Sequence, residues 1–174
     1  IVPGSAVQYL GDEWTVEDVS AGGTTYGLPP DVIKNFDAYL TERLLNPWLP
    51  SASERLEIGP GGGRLTGLLV PRTKLLHLAD PSSEMLSRLK QRFDGMAHLR
   101  YHHTNGVKLP ELQHGSLDYV IAFDVFVHFE PRLVFGYLRQ IANVLKPGGV
   151  GIIHYSNVIT PIGWQQFETD LAQN

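Results

Sequence analysis

The residues of this chain best suited to chemistry lie in one short stretch that joins glycines to two carboxylates. Glu57 comes two residues before Gly59, further glycines fill positions 61–63, and Asp80 follows. Glycine lets a ligand lie directly against the main chain because it has no Cβ. In nucleotide-binding units, an acidic residue about 20 positions further on accepts hydrogen bonds from ribose hydroxyls. The stretch therefore predicts a nucleotide site in which Asp80 is the ribose acceptor.

The spacing of the glycines separates two classes of nucleotide. A dinucleotide loop, G-x-G-x-x-G, would need a third glycine where the chain has Arg64, whereas the observed spacing is G-x-G-x-G through Gly63. Glu57 would repel a pyrophosphate but would pair well with an ammonium group. The ligand is therefore expected to carry a cation near Glu57.

Four runs of sequence, in order, carry a resemblance to a known family. Glu57-Ile-Gly-Pro-Gly-Gly-Gly and Asp80-Pro-Ser-Ser-Glu-Met-Leu resemble the first two motifs of class I S-adenosylmethionine-dependent methyltransferases. The apolar strand and polar tip within residues 116–130 and the ending Leu145-Lys-Pro-Gly-Gly are similar to two later motifs. The resemblance covers roughly residues 53–156.

The resemblance implies S-adenosylmethionine as the cofactor. In this family, backbone carbonyls after the fourth strand hold the methionine amino group, which places Ala122, Phe123 and Asp124 near the sulfonium. The implied cofactor-binding residues are Glu57, Gly59, Pro60, Gly61, Gly63, Asp80, Pro81, Met85, Asn105, Gly106, Phe123, Asp124 and Tyr26.

Two members of this set have an alternative interpretation. Asn105-Gly106 stands where the family commonly has an acidic residue that meets the adenine, and an amide oxygen can accept the same hydrogen bond. The alternative is a turn that only reverses the chain. Tyr26 would touch the methionine end of the cofactor, or would instead pack the N-terminal arm against the core.

Methyl transfer from a sulfonium is an in-line displacement, and a base helps when the acceptor is a hydroxyl. His128, a few residues after the fourth strand, is the expected base, with a structural hydrogen bond as the alternative. His154 and Asp124 are further candidates, and Asp124 would otherwise bind a cationic acceptor. No metal site is expected, since adjacent histidines such as His102 and His103 point to opposite faces of a strand.

The predicted elements place these residues at the ends of strands. We predict an α/β fold, a Rossmann-like, doubly wound, mostly parallel sheet with helices on both faces. The predicted strands cover residues 55–58, 75–79, 99–103, 119–123 and 150–154. One helix is predicted from Asp31 to about Leu45, ended by Asn46-Pro47, and another begins at Pro131. The sixth and seventh strands of the family cannot be placed after Ser156, so we expect them to be missing from this sequence.

Length and composition set the remaining bounds. The 174 residues are expected to form an N-terminal arm and helix over 1–50, covering cofactor and substrate, and a C-terminally incomplete S-adenosylmethionine-binding domain over 51–174. The net charge of −4 argues against a nucleic-acid surface, and no apolar run is long enough to cross a membrane. The absence of cysteine excludes disulfides and thiolate metal sites and is compatible with the cytoplasmic location that we expect.

The sequence thus predicts a methyltransferase that transfers a methyl group to a nitrogen or oxygen atom of a small-molecule acceptor. It does not indicate which acceptor, or the oligomeric state. One alternative is a non-catalytic module that binds S-adenosylmethionine or S-adenosylhomocysteine. Another is a nicotinamide-dependent dehydrogenase, against which Glu57 and the missing third glycine both count.

Overall fold

The computed structural model describes residues 37–38, 40–49, 53–155 and 164. In this part of the chain, five parallel strands form one sheet with the order β3-β2-β1-β4-β5. The strands are β1 (Ser53–Ile58), β2 (Thr73–Asp80), β3 (Leu99–His103), β4 (Leu117–Ala122) and β5 (Leu145–Ile153). The first four begin and end within two residues of the prediction. The predicted doubly wound α/β fold is confirmed.

Three helices alternate with these strands and cover both faces of the sheet. They are α1 (Arg64–Leu69), α2 (Ser83–Arg92) and α3 (Pro131–Val144). On one face, leucines of α1 and α2 pack on Leu76 and Leu78 of β2. On the other, Tyr137 and Ile141 of α3 pack on Val120 of β4. None of the described helices has the length and apolar character that crossing a membrane requires.

Local sequence explains where α2 and α3 begin. The side chain of Ser82 accepts a 3.2 Å hydrogen bond from the backbone N–H of Met85, which caps the first turn of α2. Pro131 stands at the start of α3, where its missing N–H would have no helical partner. The α2 helix therefore begins directly after the tip of β2, whereas residues 123–130 connect the tip of β4 to α3.

The helical segment before the sheet extends past its predicted end. The prediction ended it at Asn46-Pro47, but a π-helical turn (Thr41–Leu45) continues into a further helical turn (Asn46–Trp48). Pro47 is tolerated because it lies in the first turn of that second piece. Leu45 and Leu49 are buried in the core cluster of α1 and α2. The predicted helix start at Asp31 and the arm over 1–30 lie outside the described residues.

The fifth strand also begins earlier than predicted. Lys146–Gly149 was expected to separate α3 from a strand over 150–154, yet β5 starts at Leu145. Leu145 pairs with Leu117 and the next pair is Val150 with Tyr119, so residues 146–149 bulge opposite Asp118 alone. The Nζ atom of Lys146 lies 2.8 Å from Oδ1 of Asp118 and holds the bulge. Strands six and seven were expected to be missing after Ser156. Apart from residue 164, the chain beyond residue 155 lies outside the described residues, and this expectation stays a prediction.

Candidate functional site

The glycine loop, residues 59–63 after β1, forms the floor of the site. Gly59, Gly61 and Gly63 all have positive φ, at 65°, 50° and 83°, a region that favours glycine. The backbone N–H of Gly59 donates to the carbonyl of Ala79 at 2.8 Å. A Cβ on Gly59 would lie 2.5 Å from Cγ2 of Val125, so the main chain approaches the tip of β4 as only glycine allows.

The last glycine of the loop is a packing position. A Cβ on Gly63 would lie 2.6 Å from Cδ2 of Leu89 and 2.7 Å from Cε2 of Phe93. The guanidinium of Arg92 also donates a hydrogen bond to the carbonyl of Gly62. The end of α2 therefore holds the loop from behind, and Gly63 provides the close packing that the third glycine provides in a dinucleotide loop.

Glu57 lies beneath the glycine loop, at the end of β1. It is only 2% exposed, and its Oε2 atom accepts a 2.8 Å hydrogen bond from the hydroxyl of Thr66 on α1. Burial raises the pKa of Glu57 to about 8, the Thr66 hydrogen bond opposes that shift, and the nearby Asp80 adds to it. Without a ligand, Glu57 therefore holds a proton at neutral pH. Its direct pairing with an ammonium group stays a prediction.

Asp80, at the end of β2, faces the same loop. Its Oδ1 accepts a 2.8 Å hydrogen bond from the N–H of Ser82, and its Oδ2 accepts a 3.4 Å one from the N–H of Gly61. Burial raises the pKa of Asp80 to about 6, while these two bonds and His103 lower it. A carboxylate has about four lone-pair sites, so Asp80 keeps acceptor capacity for hydroxyls of a ligand. The structure thus brings Asp80 and the glycine loop together, as their spacing in the sequence predicted.

Asn105 follows β3 and takes part in a turn. Its Oδ1 accepts hydrogen bonds from the backbone N–H groups of Val107 and Lys108 at 3.0 and 2.9 Å. Both lone pairs of that oxygen are therefore in use, which favours the interpretation that Asn105-Gly106 reverses the chain. The N–H of Thr104 donates to the carbonyl of Asp80 at 3.0 Å, so this turn lies beside the tip of β2. The contact with an adenine stays a prediction.

The tips of β4 and β5 are joined through Asp124 and His154. Asp124 has φ of 57°, the only positive value of a non-glycine residue in the described part of the chain. Its Oδ1 lies 2.8 Å from Nδ1 of His154, and its backbone N–H donates a 3.3 Å hydrogen bond to the same nitrogen. The ring of Phe123 stacks on that of His154, with centroids 4.7 Å apart. Phe123 and Asp124 therefore lie at the edge where the resemblance placed them.

His128 ends a short 3₁₀ turn (Phe126–His128) that follows this edge. The residue is exposed, but protein atoms crowd its ring and lower its pKa, while Asp124 raises it. The lowered pKa leaves the imidazole neutral at neutral pH, and a neutral imidazole can accept a proton. Its role as a base stays a prediction.

The other predicted cofactor residues surround the two carboxylates. Pro60 is buried in the glycine loop, and Gly106 is buried in the turn after β3. The carbonyl of Pro81 lies 2.9 Å from Nε2 of His103, and Met85 is buried in the first turn of α2. Tyr26 lies outside the described residues.

Sequence reasoning missed three residues at this site. Thr66 donates a hydrogen bond to Glu57, and the side chain of Val125 packs closely against Gly59. Tyr137 is buried on α3, and burial together with Asp80 raises its pKa to about 12. The only signal in the sequence was the polar type of Thr66 and Tyr137 on otherwise apolar helix faces.

Within the described residues, the remaining histidines are not grouped as metal ligands. In the described residues, no group of three or more histidine, aspartate or glutamate side chains is placed to hold a metal ion. Nδ1 of His77 lies 2.8 Å from Nε2 of His102, and the two rings stack. The side chain of His77 is therefore hydrogen-bonded to the neighbouring strand β3.

A comparison with protein families finds a match across the site. A family model described as "Methyltransferase domain" matches residues 56–149, which is more than half of the chain. No curated protein matches the sequence.

Solved structures share the fold. Phosphoethanolamine N-methyltransferase 1 from Haemonchus contortus, in complex with phosphoethanolamine and S-adenosylhomocysteine, has a TM-score of 0.71 at 17% identity, covering 89% of this chain and 32% of that one. A SAM-dependent methyltransferase from Leishmania major has a TM-score of 0.70 at 16% identity, covering 98% and 72%. DhpI complexed with S-adenosylhomocysteine has a TM-score of 0.67 at 17% identity, covering 90% and 70%. This chain thus spans about a third of the first protein's length.

Proposed function

Because this chain belongs to the family of S-adenosylmethionine-dependent methyltransferases, we propose that it transfers a methyl group from S-adenosylmethionine to a nitrogen or oxygen atom of a small molecule. S-adenosylmethionine is its cofactor. One observation carries the proposal: the buried carboxyl of Asp80 is hydrogen-bonded to the backbone of the glycine loop at Gly61, at the edge where the five parallel strands of the described sheet end.

The residues at this edge fit the cofactor. Gly59 lets the main chain approach Val125 more closely than any Cβ would allow, which holds the glycine loop at the β4 tip. Asp80 keeps lone pairs for the ribose hydroxyls, and Glu57 supplies a carboxyl that a nearby cation would ionise. A cationic ligand would favour the ionised forms of both buried carboxyls, whereas a pyrophosphate would oppose their ionisation and gain no attraction from them, which supports the adenosyl cofactor over a dinucleotide.

When bound, the cofactor supplies the electrophilic methyl group. The protein contributes orientation and a site that excludes water. Asp80 and the glycine loop would hold the adenosine half of the cofactor, and Phe123 and Asp124 would lie near its other half at the β4 tip. His128 and His154 are the two imidazoles at this edge that can receive a proton from the acceptor.

We propose that the helical segment before the sheet covers the glycine loop. This is the role that we expected of residues 1–50. Arg64, the first residue after the loop, donates from Nε to Oδ1 of Asp37 at 2.8 Å. Leu45 and Leu49 are buried against α1 and α2. The segment is therefore packed directly on the helix that begins at the glycine loop.

The test begins with the cofactor. Calorimetric titration with S-adenosylmethionine, S-adenosylhomocysteine and NAD, each separately, should show micromolar binding of both adenosyl ligands and none of NAD. Asp80→Ala should weaken adenosyl binding about tenfold or more, since it removes a charged hydrogen-bond acceptor. Asp94→Ala, at an exposed position, is the control. Binding of NAD alone would overturn the proposal.

The second step measures transfer. Incubation with S-adenosylmethionine carrying a radiolabelled methyl group and ethanolamine, phosphoethanolamine or catechol should label at least one acceptor. Phosphoethanolamine is included because it is bound in one of the structures that share this fold. Adenosyl binding without transfer to any nitrogen or oxygen acceptor would favour the non-catalytic module instead.

A further inference from the structure

A pair of histidines, His77 of β2 and His102 of β3, lies outside the candidate site. Nδ1 of His77 is 2.8 Å from Nε2 of His102, and the rings stack with their centroids 5.1 Å apart. Ala79 pairs with His102 across the two strands and packs in the core cluster of α3, so the histidine pair lies on that face of the sheet. Both side chains are half-buried, and the proposed transfer step does not use them.

The contact between the two rings limits how many protons the histidine pair can carry. At 2.8 Å, one of the two facing nitrogens donates its N–H and the other accepts with its lone pair. One added proton can occupy the outer nitrogen of the donating ring, which leaves the hydrogen bond intact. A second added proton makes both rings imidazolium, in which every nitrogen is a donor. Two N–H groups and two positive charges would then face each other, so the contact would break.

The groups around the histidine pair favour its neutral form. Burial lowers the pKa of both imidazoles. His102 and Arg100 lower the pKa of His77 further, while Glu54 of β1 raises it. Arg100 also lowers the pKa of His102. The histidine pair is therefore neutral at neutral pH and takes up protons only in acid.

The tip of β3 is bonded to the backbone on both sides of the Asp80 carboxyl. In the described sheet, β3 is an edge strand whose neighbour is β2. The backbone N–H of Thr104 donates to the carbonyl of Asp80 at 3.0 Å, and Nε2 of His103 donates to the carbonyl of Pro81 at 2.9 Å. A histidine that donates to a carbonyl keeps that bond when it gains a proton. The contact within the histidine pair, in contrast, is lost when both rings are charged.

We propose that the histidine pair is a proton-sensitive tie that positions the β3 tip beside Asp80, an inference that rests on the proposed function through its cofactor. With one added proton or none, the contact holds β3 against β2. A second proton breaks the contact, the β3 tip loosens, and S-adenosylmethionine binds more weakly. The tie therefore sets an acid limit for cofactor binding that is separate from the ionisation of Glu57 and Asp80.

The first test counts protons on the histidine pair by long-range nitrogen–proton NMR of the ligand-free chain, labelled at histidine. At neutral pH, one of the two facing nitrogens should carry a proton and the other should not. Acidification should give two steps at least about one pH unit apart, each seen in the signals of both rings. Amide hydrogen exchange across β3, corrected for its intrinsic pH dependence, should rise at the second step only. A single shared midpoint, or no second step before the chain unfolds in acid, would overturn the proposal.

The second test compares variants by calorimetric titration with S-adenosylhomocysteine at neutral pH and in acid. His102→Gln and His77→Asn place an amide near the facing ring nitrogen and cannot become cationic. At neutral pH each should bind within about threefold of the unmodified protein, and each should lose about tenfold less affinity in acid. Glu57 and Asp80 are unchanged, so their effect on the pH dependence cancels in the comparison. His114→Gln, at an exposed position before β4, is the control and should follow the unmodified protein.

The outcomes distinguish this inference from the proposed function. If no adenosyl ligand binds at any pH, the proposed function fails, and the NMR and exchange results alone decide on the tie. If His102→Gln and His77→Asn lose as much affinity in acid as the unmodified protein, the tie is overturned while the proposed function stands. Reduced pH dependence in His103→Gln alone would assign the acid limit to His103 and would also overturn the tie.

Discussion

The carboxyl of Glu57 accepts a hydrogen bond from the hydroxyl of Thr66 at 2.8 Å, in a place that solvent does not reach. This bond joins the end of β1 to α1 directly beneath the glycine loop. Burial and Asp80 together make the charged form costly, so that the pKa of Glu57 rises to about 8. The protein therefore keeps a titratable group under its cofactor site, and pH becomes a probe of that site.

The ligand-free protein should lose stability as the pH rises through this group. Glu57 has a pKa of about 8 in the folded chain against an ordinary value of 4.5, so the folded state binds the proton more tightly. Its stabilising contribution is complete below the unfolded value and disappears as the pH passes the folded value. The free energy of unfolding should fall by up to roughly 1.4 kcal/mol per pH unit between them. Urea unfolding across this range measures it.

Glu57→Gln is the matched variant for that experiment. The amide oxygen can still accept from Thr66, and the side chain no longer ionises. Its unfolding free energy should change less with pH in the same window, so that it exceeds that of the unmodified protein at the alkaline end. Glu111→Gln, at an exposed site, should follow the unmodified protein. Equal pH dependence in Glu57→Gln and the unmodified chain would show that another group controls it.

Cofactor affinity should change with pH in the opposite direction. The cations of S-adenosylmethionine favour the ionised forms of Glu57 and Asp80, whose pKa values are about 8 and about 6 without ligand. Binding should therefore release protons and tighten as the pH rises from about 6 to about 8. Calorimetry in two buffers of different ionisation enthalpy counts the released protons. S-adenosylhomocysteine, which lacks the sulfonium, should release fewer, and an equal count would exclude a role for that charge.

The sequence was sufficient to predict the parts of the site that depend on local pattern. The spacing from Gly59 to Asp80 predicted that Asp80 lies beside the glycine loop, because a short helix and one strand fill the interval. The bounds of β3 (Leu99–His103) were predicted correctly because turn residues lie on both sides of an uninterrupted run of strand residues. Such features are determined by residues that are near one another in the chain.

Features set by contacts between distant residues could not be predicted. Asp124 meets His154 only because β4 and β5 pair with Ala122 opposite Ile153, a register that follows from the bulge at residues 146–149. The two lone pairs of Asn105 are used by its own turn, which no spacing reveals. Register and turn geometry are set by tertiary packing, which the pattern of residue types does not specify.

Gly59→Ala should damage both stability and cofactor binding. The new Cβ would lie 2.5 Å from Cγ2 of Val125, and φ of 65° is unfavourable for alanine. Strain of these two kinds costs about 1–3 kcal/mol. Thermal unfolding and S-adenosylhomocysteine titration measure the two effects.

A double variant distinguishes the steric clash at Gly59 from its backbone strain, and Gly67→Ala is the comparison. Adding Val125→Ala to Gly59→Ala removes the clashing methyl groups and should recover only the steric part of the loss. Gly67→Ala in α1 meets nothing within 4 Å and should stabilise the protein by about 0.5–1 kcal/mol, as alanine favours a helix. Full recovery in the double variant would show that positive φ at Gly59 is not required.

Hydrogen bonds from Gln140 should stabilise the loop that follows β3. Its Oε1 accepts a 2.8 Å hydrogen bond from the N–H of Leu109, and its Nε2 donates to the carbonyls of Val107 and Gly136 at 3.1 Å. Gln140→Ala removes these bonds and should raise amide hydrogen exchange at Leu109 at least tenfold, with a global loss of about 1–2 kcal/mol. Gln113→Ala, at an exposed position, is the control. If exchange rises equally at Leu109 and across α3, the variant loosens the whole helix, and Gln140 is a general packing residue rather than a clamp on this loop.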